Sequence, residues 1–206
     1  MARLELYYPV KPAPVHQGFG ENPQYYSQVV PGLKGHNGID FVASHGQPVR
    51  AAHDGICYVG VDSNEGHGVV LRTLQPYDYN AQQVYFKTIY WHLCDGVQEP
   101  QYTIPVQQGQ QVKAGDIIGY ADNTGLSTGD HLHFGQKPQA QDESNGTWMN
   151  VEQDNGYFGA VDPTPDFNGF FAEDILSTNQ NLSQQLTLAQ IVVTFLKQLF
   201  TQKKTQ

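Results

Sequence analysis

The chain has 206 residues, enough for one domain of ordinary size or one domain with an appendage. Hydrophobic residues make up 39 %, which supports a core and argues against global disorder. The formal charge of -9 argues against a nucleic-acid partner, which needs a basic face, and against loose adhesion to an anionic wall or membrane, while leaving a narrow active-site groove open.

The composition leans towards β-structure: 21 Gly, 12 Pro and 12 Tyr imply many turns and many strand-favouring aromatics. The first residues, Met1-Ala2-Arg3-Leu4-Glu5, hold no apolar run that reads as a signal peptide, and no stretch reaches the roughly 20 apolar residues of a transmembrane segment. Residues 1–35 read as an extended arm, because Pro9, Pro12, Pro14, Pro23 and Pro31 lie too close together for helix.

Next comes Gly35-His36-Asn37-Gly38-Ile39-Asp40-Phe41. An uninterrupted strand would hold His36 and Asp40 about 13 Å apart, too far for one ion. Asn37-Gly38 is a strong turn pair, and a bend there folds the two side chains back towards one point. From there to about residue 137, short strands alternate with turn signals: Pro48–Ala52, Ile56–Val61, Gly68–Thr73, Val84–Leu93, Gln111–Lys113 and Ile117–Tyr120. Helical periodicity is absent from this region. The stretch Gln75–Gln83 reads as a hairpin loop and Gln139–Gly159 as a polar excursion, both expected to wall a groove. Gly46-Gln47-Pro48-Val49-Arg50-Ala51 echoes Gly109-Gln110-Gln111-Val112-Lys113-Ala114. The echo is either chance or two equivalent corners of a duplicated β-sandwich. Lipoyl-type carrier domains have such corners too, but Lys113 lacks the usual neighbours of a modified lysine. Cys57 and Cys94 sit in strand-like runs without C-x-x-C spacing and read as buried free thiols.

Tyr90-Trp91-His92-Leu93 ends a long apolar strand, where a single histidine is more often a satisfied core residue. Asn123 and Thr124, in the loop Ala121-Asp122-Asn123-Thr124-Gly125, are candidates for substrate contact at a groove rim. Soon after, Thr128-Gly129-Asp130-His131-Leu132-His133-Phe134-Gly135 places His131 and His133 on one strand face, with Leu132 and Phe134 towards the core. His16, His45, His53 and His67 have no such setting and read as structural. Residues 175–186 are polar. Thr187–Phe200 then carries Leu188, Ile191, Val192, Phe195, Leu196 and Leu199 at helical spacing, an amphipathic C-terminal helix that could pack on the domain or mediate self-association through 187–200.

Two neutral imidazoles and one carboxylate form a three-ligand set that leaves zinc an open fourth position for water, and no cysteine accompanies them to close a structural site. Either member of the His131/His133 pair could ligate the ion; spacing does not choose between them. The segments around His36-Asp40, Val49–Gly55, Tyr90–Leu93, Val112–Gly119 and His131–Phe134, in this order and spacing over about residues 15–165, resemble the lysostaphin-type zinc endopeptidases. The resemblance implies an antiparallel β-sandwich of the duplicated hybrid-motif type with a groove. It also implies one zinc ion per chain and hydrolysis of peptide cross-links or bridges in bacterial peptidoglycan. The place of action would be the cell wall, whether extracellular, periplasmic or phage-delivered as by an endolysin. By position, the resemblance gives His36, Asp40 and His133 to the metal and makes His92 and His131 catalytic. Some relatives have lost ligands and act without turnover, as a wall-binding or virion structural module would; here every one of these positions is filled. The expected domains are thus an extended arm 1–35 packed on the domain, a zinc endopeptidase domain 36–170, and 171–206 as polar linker and amphipathic C-terminal helix.

Overall fold

The computed structural model describes residues 2–171. Among the described residues there are eleven strands: β1 (Val15–Gln17), β2 (Ile39–Val42), β3 (Pro48–Arg50), β4 (Gly55–Asp62), β5 (Gly66–Thr73), β6 (Tyr77–Tyr79), β7 (Gln82–Leu93), β8 (Gln111–Val112), β9 (Ile117–Tyr120), β10 (His131–Gln141) and β11 (Trp148–Asn150). The main sheet runs β1-β2-β10-β7-β5-β4-β8, with β6 added to β7 and β11 to β10; β3 and β9 form a second, two-stranded sheet. All these pairings are antiparallel. The mainly β, antiparallel architecture expected from the sequence is the one observed. No helix among the described residues is long and apolar enough to cross a membrane. The C-terminal helix over 187–200, with its self-association, lies outside the described residues.

Strand alternation sorts the main sheet into two faces. One face packs inward: Cys57, Val69, Leu71, Phe86, Tyr90, Leu132 and Phe134 are buried in a single cluster that also takes Val49 and Ile118 from the small sheet. Tyr90 meets Phe134 edge to face at 5.2 Å, a favourable aromatic geometry at a directly paired position. The opposite face, which carries His131, His133, Gly135 and Lys137 on β10, is the one that bears the chemistry.

The extended reading of residues 1–35 needs correction, because Pro23–Val29 forms a short helix, α1. Pro23 stands in its first turn, where no N–H donor is required. Val30, next to Pro31, is extended and ends the helix, as the residue before proline prefers. The rest of the arm is not peripheral: Leu4, Leu6 and Val10 are buried in the same core cluster.

The two echoing segments form equivalent corners. Gly46 and Gly109 both adopt positive φ. Gln47 N–H donates to Ser44 O and its side-chain oxygen accepts from Ser44 N–H; Gln110 makes the same two bonds with Gln107. Each corner therefore needs glycine for its φ and glutamine to close the turn. Lys113, beside the second corner, pairs its ammonium with Asp54 at 2.6 Å. Both cysteines are buried and free.

His53 is a satisfied core histidine. Its Nδ1 donates to Asp54 O at 2.8 Å and its Nε2 meets Thr88 Oγ1 at 2.8 Å, in a chain that continues to Tyr90 Oη and Ala52 N. Burial pushes its imidazole down to about 4 from an ordinary 6.5. The unfolded chain therefore takes up this proton first on acidification. The stability contributed by neutral His53 is complete above pH 6.5 and is lost as pH falls towards 4, by up to about 3 kcal/mol. Unfolding in urea at pH 7 and pH 4.5 is expected to show a smaller acid loss in His53→Gln than in the unsubstituted chain; equal losses would refute this assignment.

Candidate metal centre

The centre is assembled at one end of the outer face of the main sheet. Asp40 on β2 lies directly opposite His133 on β10. The bend at Asn37-Gly38 brings His36 back over this pair, so His36 Nε2 reaches Asp40 Oδ1 at 3.1 Å. His133 Nδ1 lies 3.0 Å from Asp40 Oδ1 and 3.0 Å from His36 Nε2. His36, Asp40 and His133 are all buried. The N-terminal arm fixes the first of them. His36 Nδ1 faces Gly18 O at 3.3 Å, its N–H donates to Glu21 O and its carbonyl accepts from Gly20 N–H. The Tyr26 ring stacks on His36 at 5.4 Å, and burial followed by the Asp40 charge pushes its phenol up.

Gly38 does not adopt positive φ, so its role differs from that of a turn glycine. A Cβ there would stand 2.6 Å from Phe134 O and 2.7 Å from the His133 ring. The glycine is needed for space. Gly38→Ala is expected to displace β2 from β10, to cost about 1–3 kcal/mol of stability and to abolish stoichiometric metal binding. Thermal unfolding and metal content after dialysis check this, and a fully metallated, equally stable variant would disprove the spatial role.

His92 reaches the same point by an irregular route. Between His67↔Leu93 and Val69↔Tyr90 the register of β5 with β7 shifts by one, so Trp91 and His92 together oppose Gly68. His92 has φ of 63°, in the left-handed region that a side chain seldom occupies. Regular alternation from Tyr90 would send His92 into the core; the bulge turns it to the outer face instead. There its ring lies 4.5 Å from that of His131 and 6.2 Å from that of His133. Gly68 makes this possible, since a Cβ on it would sit 2.0 Å from the Trp91 ring. His92 Nδ1 donates to Thr124 O at 2.8 Å, and burial pushes the imidazole down to about 4, so it is neutral at physiological pH.

His131 is half-buried. Its Nδ1 donates to Gly129 O at 2.8 Å, with Ser127 Oγ at 3.2 Å, and its Nε2 stands 3.6 Å from Asp40 Oδ1. Thr124 is tied inward: its hydroxyl donates to Leu93 O and accepts from His67 N–H, while Asn123 beside it is exposed. The structure thus brings His36, Asp40, His92, His131 and His133 together, with Thr124 joined to His92 through its carbonyl; Asn123 is exposed in the same loop. Not visible in the sequence are the carbonyls of Gly18, Thr124 and Gly129, which carry no side-chain signature, and the role of Gly68. A glycine inside a strand run was the signal available for the bulge.

The protonation pattern points to a cation. Carbonyl oxygens only accept, so His36, His92 and His131 each carry their proton on Nδ1 and present a lone pair on Nε2. Burial alone would push the Asp40 carboxyl up, but hydrogen bonding, above all to His133, outweighs it and keeps the group ionised, well below the usual carboxylate range. A proton on His133 Nδ1 can serve Asp40 Oδ1 or His36 Nε2 but not both, so hydrogen bonds cannot fully satisfy this buried triangle with sides of 3.0–3.1 Å. Tetrahedral zinc with bonds of about 2.0–2.1 Å separates neighbouring ligand atoms by about 3.3 Å, within a few tenths of these distances. The residues fit such an ion.

Residues 34–150 match peptidase family M23. The DD-carboxypeptidase/endopeptidase Mpg of Neisseria meningitidis is 38% identical over 100 residues, which are 48% of this chain and 19% of that protein. Lysostaphin of Staphylococcus simulans is 34% identical over 118 residues, 57% of this chain and 20% of that protein. The crystal structure of a zinc-containing peptidase from Vibrio cholerae aligns with a TM-score of 0.51 and 28% identity, covering 79% of this chain and 41% of that one. The chain spans about a fifth of the length of the curated relatives it matches. The order of motifs, the antiparallel sheet and the His/Asp/His triangle agree with the matched segment: the chain belongs to peptidase family M23.

Proposed function

We propose that the chain is a zinc-dependent endopeptidase that hydrolyses peptide cross-links or bridges of bacterial peptidoglycan, with one zinc ion held by His36, Asp40 and His133. The observation that carries this reading is the buried triangle of two imidazole nitrogens and one carboxylate oxygen, 3.0–3.1 Å on a side, in a chain of a family of metal-dependent peptidases. Bound zinc supplies Lewis acidity, polarising a carbonyl and making a water acidic near neutral pH. His131 Nε2, at 3.6 Å from Asp40 Oδ1, stands just outside the triangle and takes the catalytic role together with His92. Their Nδ1 protons are held by backbone carbonyls, so both present Nε2 to take the proton of the attacking water and return it to the leaving amine. Burial keeps His92 neutral, which suits an acceptor or a donor to developing oxyanion charge once protonated. The exposed Asn123 is the proposed substrate contact at the rim; Thr124 serves that loop chiefly by orienting His92 through its carbonyl. The substrate places this activity at the cell wall.

Purified peptidoglycan incubated with the full chain is expected to release new amino groups. Release should stop with a chelator and return with one equivalent of zinc. Binding to the wall without released amino groups would replace this reading with that of a non-enzymatic wall-binding module.

A further inference from the structure

The outer sheet face that carries the metal centre also carries three cations in one row. Arg72 on β5 pairs in register with Lys87 on β7, and Lys87 pairs with Lys137 on β10. Directly opposed residues on antiparallel strands have Cβ atoms about 4.5–5.5 Å apart, and like charges there are destabilising. These are three of only 11 Lys and Arg residues in a chain with 20 acids, yet no carboxylate of the described residues lies within ion-pair distance of either lysine. Among the described residues Glu65 is the one acid that Lys137 senses, without a hydrogen bond. Arg72 is fixed in place: its Nε donates to Gln139 Oε1 at 3.3 Å, its Nη1 to Tyr58 Oη at 3.0 Å, and its guanidinium lies 4.0 Å over the Trp148 ring. Both lysines are half-buried. Burial and then the neighbouring cation push each ammonium down, Lys137 to about 8.

Lys137 is four residues beyond the ligand position His133 on the same strand and face, about 13 Å along β10. Gly135 lies between them, paired with Ile89 of β7, whose side chain floors the same face. A peptide lying over the face with its scissile bond at the metal would reach the cation row about four residues away.

We propose that Arg72, Lys87 and Lys137 form a subsite for a carboxylate carried by the substrate peptide, about four residues from the bond that is cut. The inference rests on the endopeptidase reading for its substrate, and on the cation row for its site. A half-buried like-charge row costs stability in the free protein and is relieved by an anion. Methionine keeps the packing of a lysine stem and removes the charge.

The test compares the full chain with the K87M/K137M variant on peptidoglycan peptides bearing free carboxylates and on the same peptides amidated at the terminus only or at the side chain only. The unsubstituted chain is expected to cut the free acids about tenfold or more faster, by kcat/KM, than one of the two amidated sets, which identifies the carboxylate. K87M/K137M should lose the same factor on the free acids and show no preference between acid and amide, with unchanged metal content. Lys137→Arg should restore the preference. A double variant as fast as the unsubstituted chain on free acids, or an unsubstituted chain indifferent to amidation, overturns the subsite. If nothing is cut, the endopeptidase reading fails by itself. Calorimetric binding of acid against amide peptides to both chains then decides the subsite: tighter acid binding that disappears in K87M/K137M supports it, and equal binding refutes it. If the double variant does not fold, the acid-to-amide ratio of the unsubstituted chain and of Lys137→Gln decides in the same way.

Discussion

Replacing His131 with alanine is expected to lower kcat about 10²–10⁴-fold while metal content stays at one ion per chain. The expectation follows from where the side chain sits. His131 Nε2 lies 3.6 Å from Asp40 Oδ1, against 3.0–3.1 Å for the atoms of the triangle. Its removal leaves His36, Asp40 and His133 in place. The ring is held at Nδ1 by Gly129 O and faces the ring of His92 at 4.5 Å, so it is aimed without being locked into the ligand set. The loss should fall on kcat more than on KM, as for an interaction made in the transition state. Metal analysis alongside release of amino groups checks both halves. A variant that lost its metal would move His131 into the ligand set. A variant with normal turnover would remove it from catalysis.

Asp40→Asn is expected to abolish activity and to cost far more than the 10–100-fold in metal affinity that outer-shell changes cost. Asp40 supplies the only negative charge in the triangle, and the two imidazoles around it are directed at the same oxygen. Asparagine keeps the shape but replaces an anion with a neutral amide, so the ion's charge would be compensated by nothing in the buried site. Competition with a chromogenic chelator measures the loss. Zinc affinity within a factor of ten of the unsubstituted chain would show that the carboxylate is not a ligand. The same experiment at falling pH should show metal released as the imidazoles take up protons, since hydrogen bonding to Asp40 outweighs burial and raises the His133 imidazole.

Much of this centre was legible in the sequence. The H-x-H pair needed only strand alternation, and the structure pairs β10 with β2 so that His133 meets Asp40. The strands from Pro48 to Tyr120 were visible because turn glycines and apolar runs punctuate them, and the echo of Gly46-Gln47 in Gly109-Gln110 marked two real corners. What was not legible depends on backbone or on distant partners. Helix α1 is hidden in the sequence because closely spaced prolines ordinarily break helices, whereas Pro23 begins this one and Pro31 follows its end. His92 read as a core residue, since period-two alternation from Tyr90 points it inward. Only the bulge opposite Gly68, with φ of 63° at His92, turns it to the metal face.

The sequence by itself determined which residue types could meet a metal: two imidazole segments and one carboxylate, without cysteine, spaced so that a bend and a strand face suffice. It also determined the β character of the chain and its family, through motifs that keep their order. Tertiary structure decided how these parts meet. It set the 3.0–3.1 Å triangle, the carbonyls that hold three Nδ1 protons, and the second reason for Gly38, which is room for the His133 ring rather than freedom of φ. It also aligned Arg72, Lys87 and Lys137, residues 15 and 50 positions apart in the chain, into one row across three strands. The physical reason is the same throughout. Periodicity and residue type are local properties of a chain, whereas register, bulges and backbone acceptors exist only once strands from distant segments have paired.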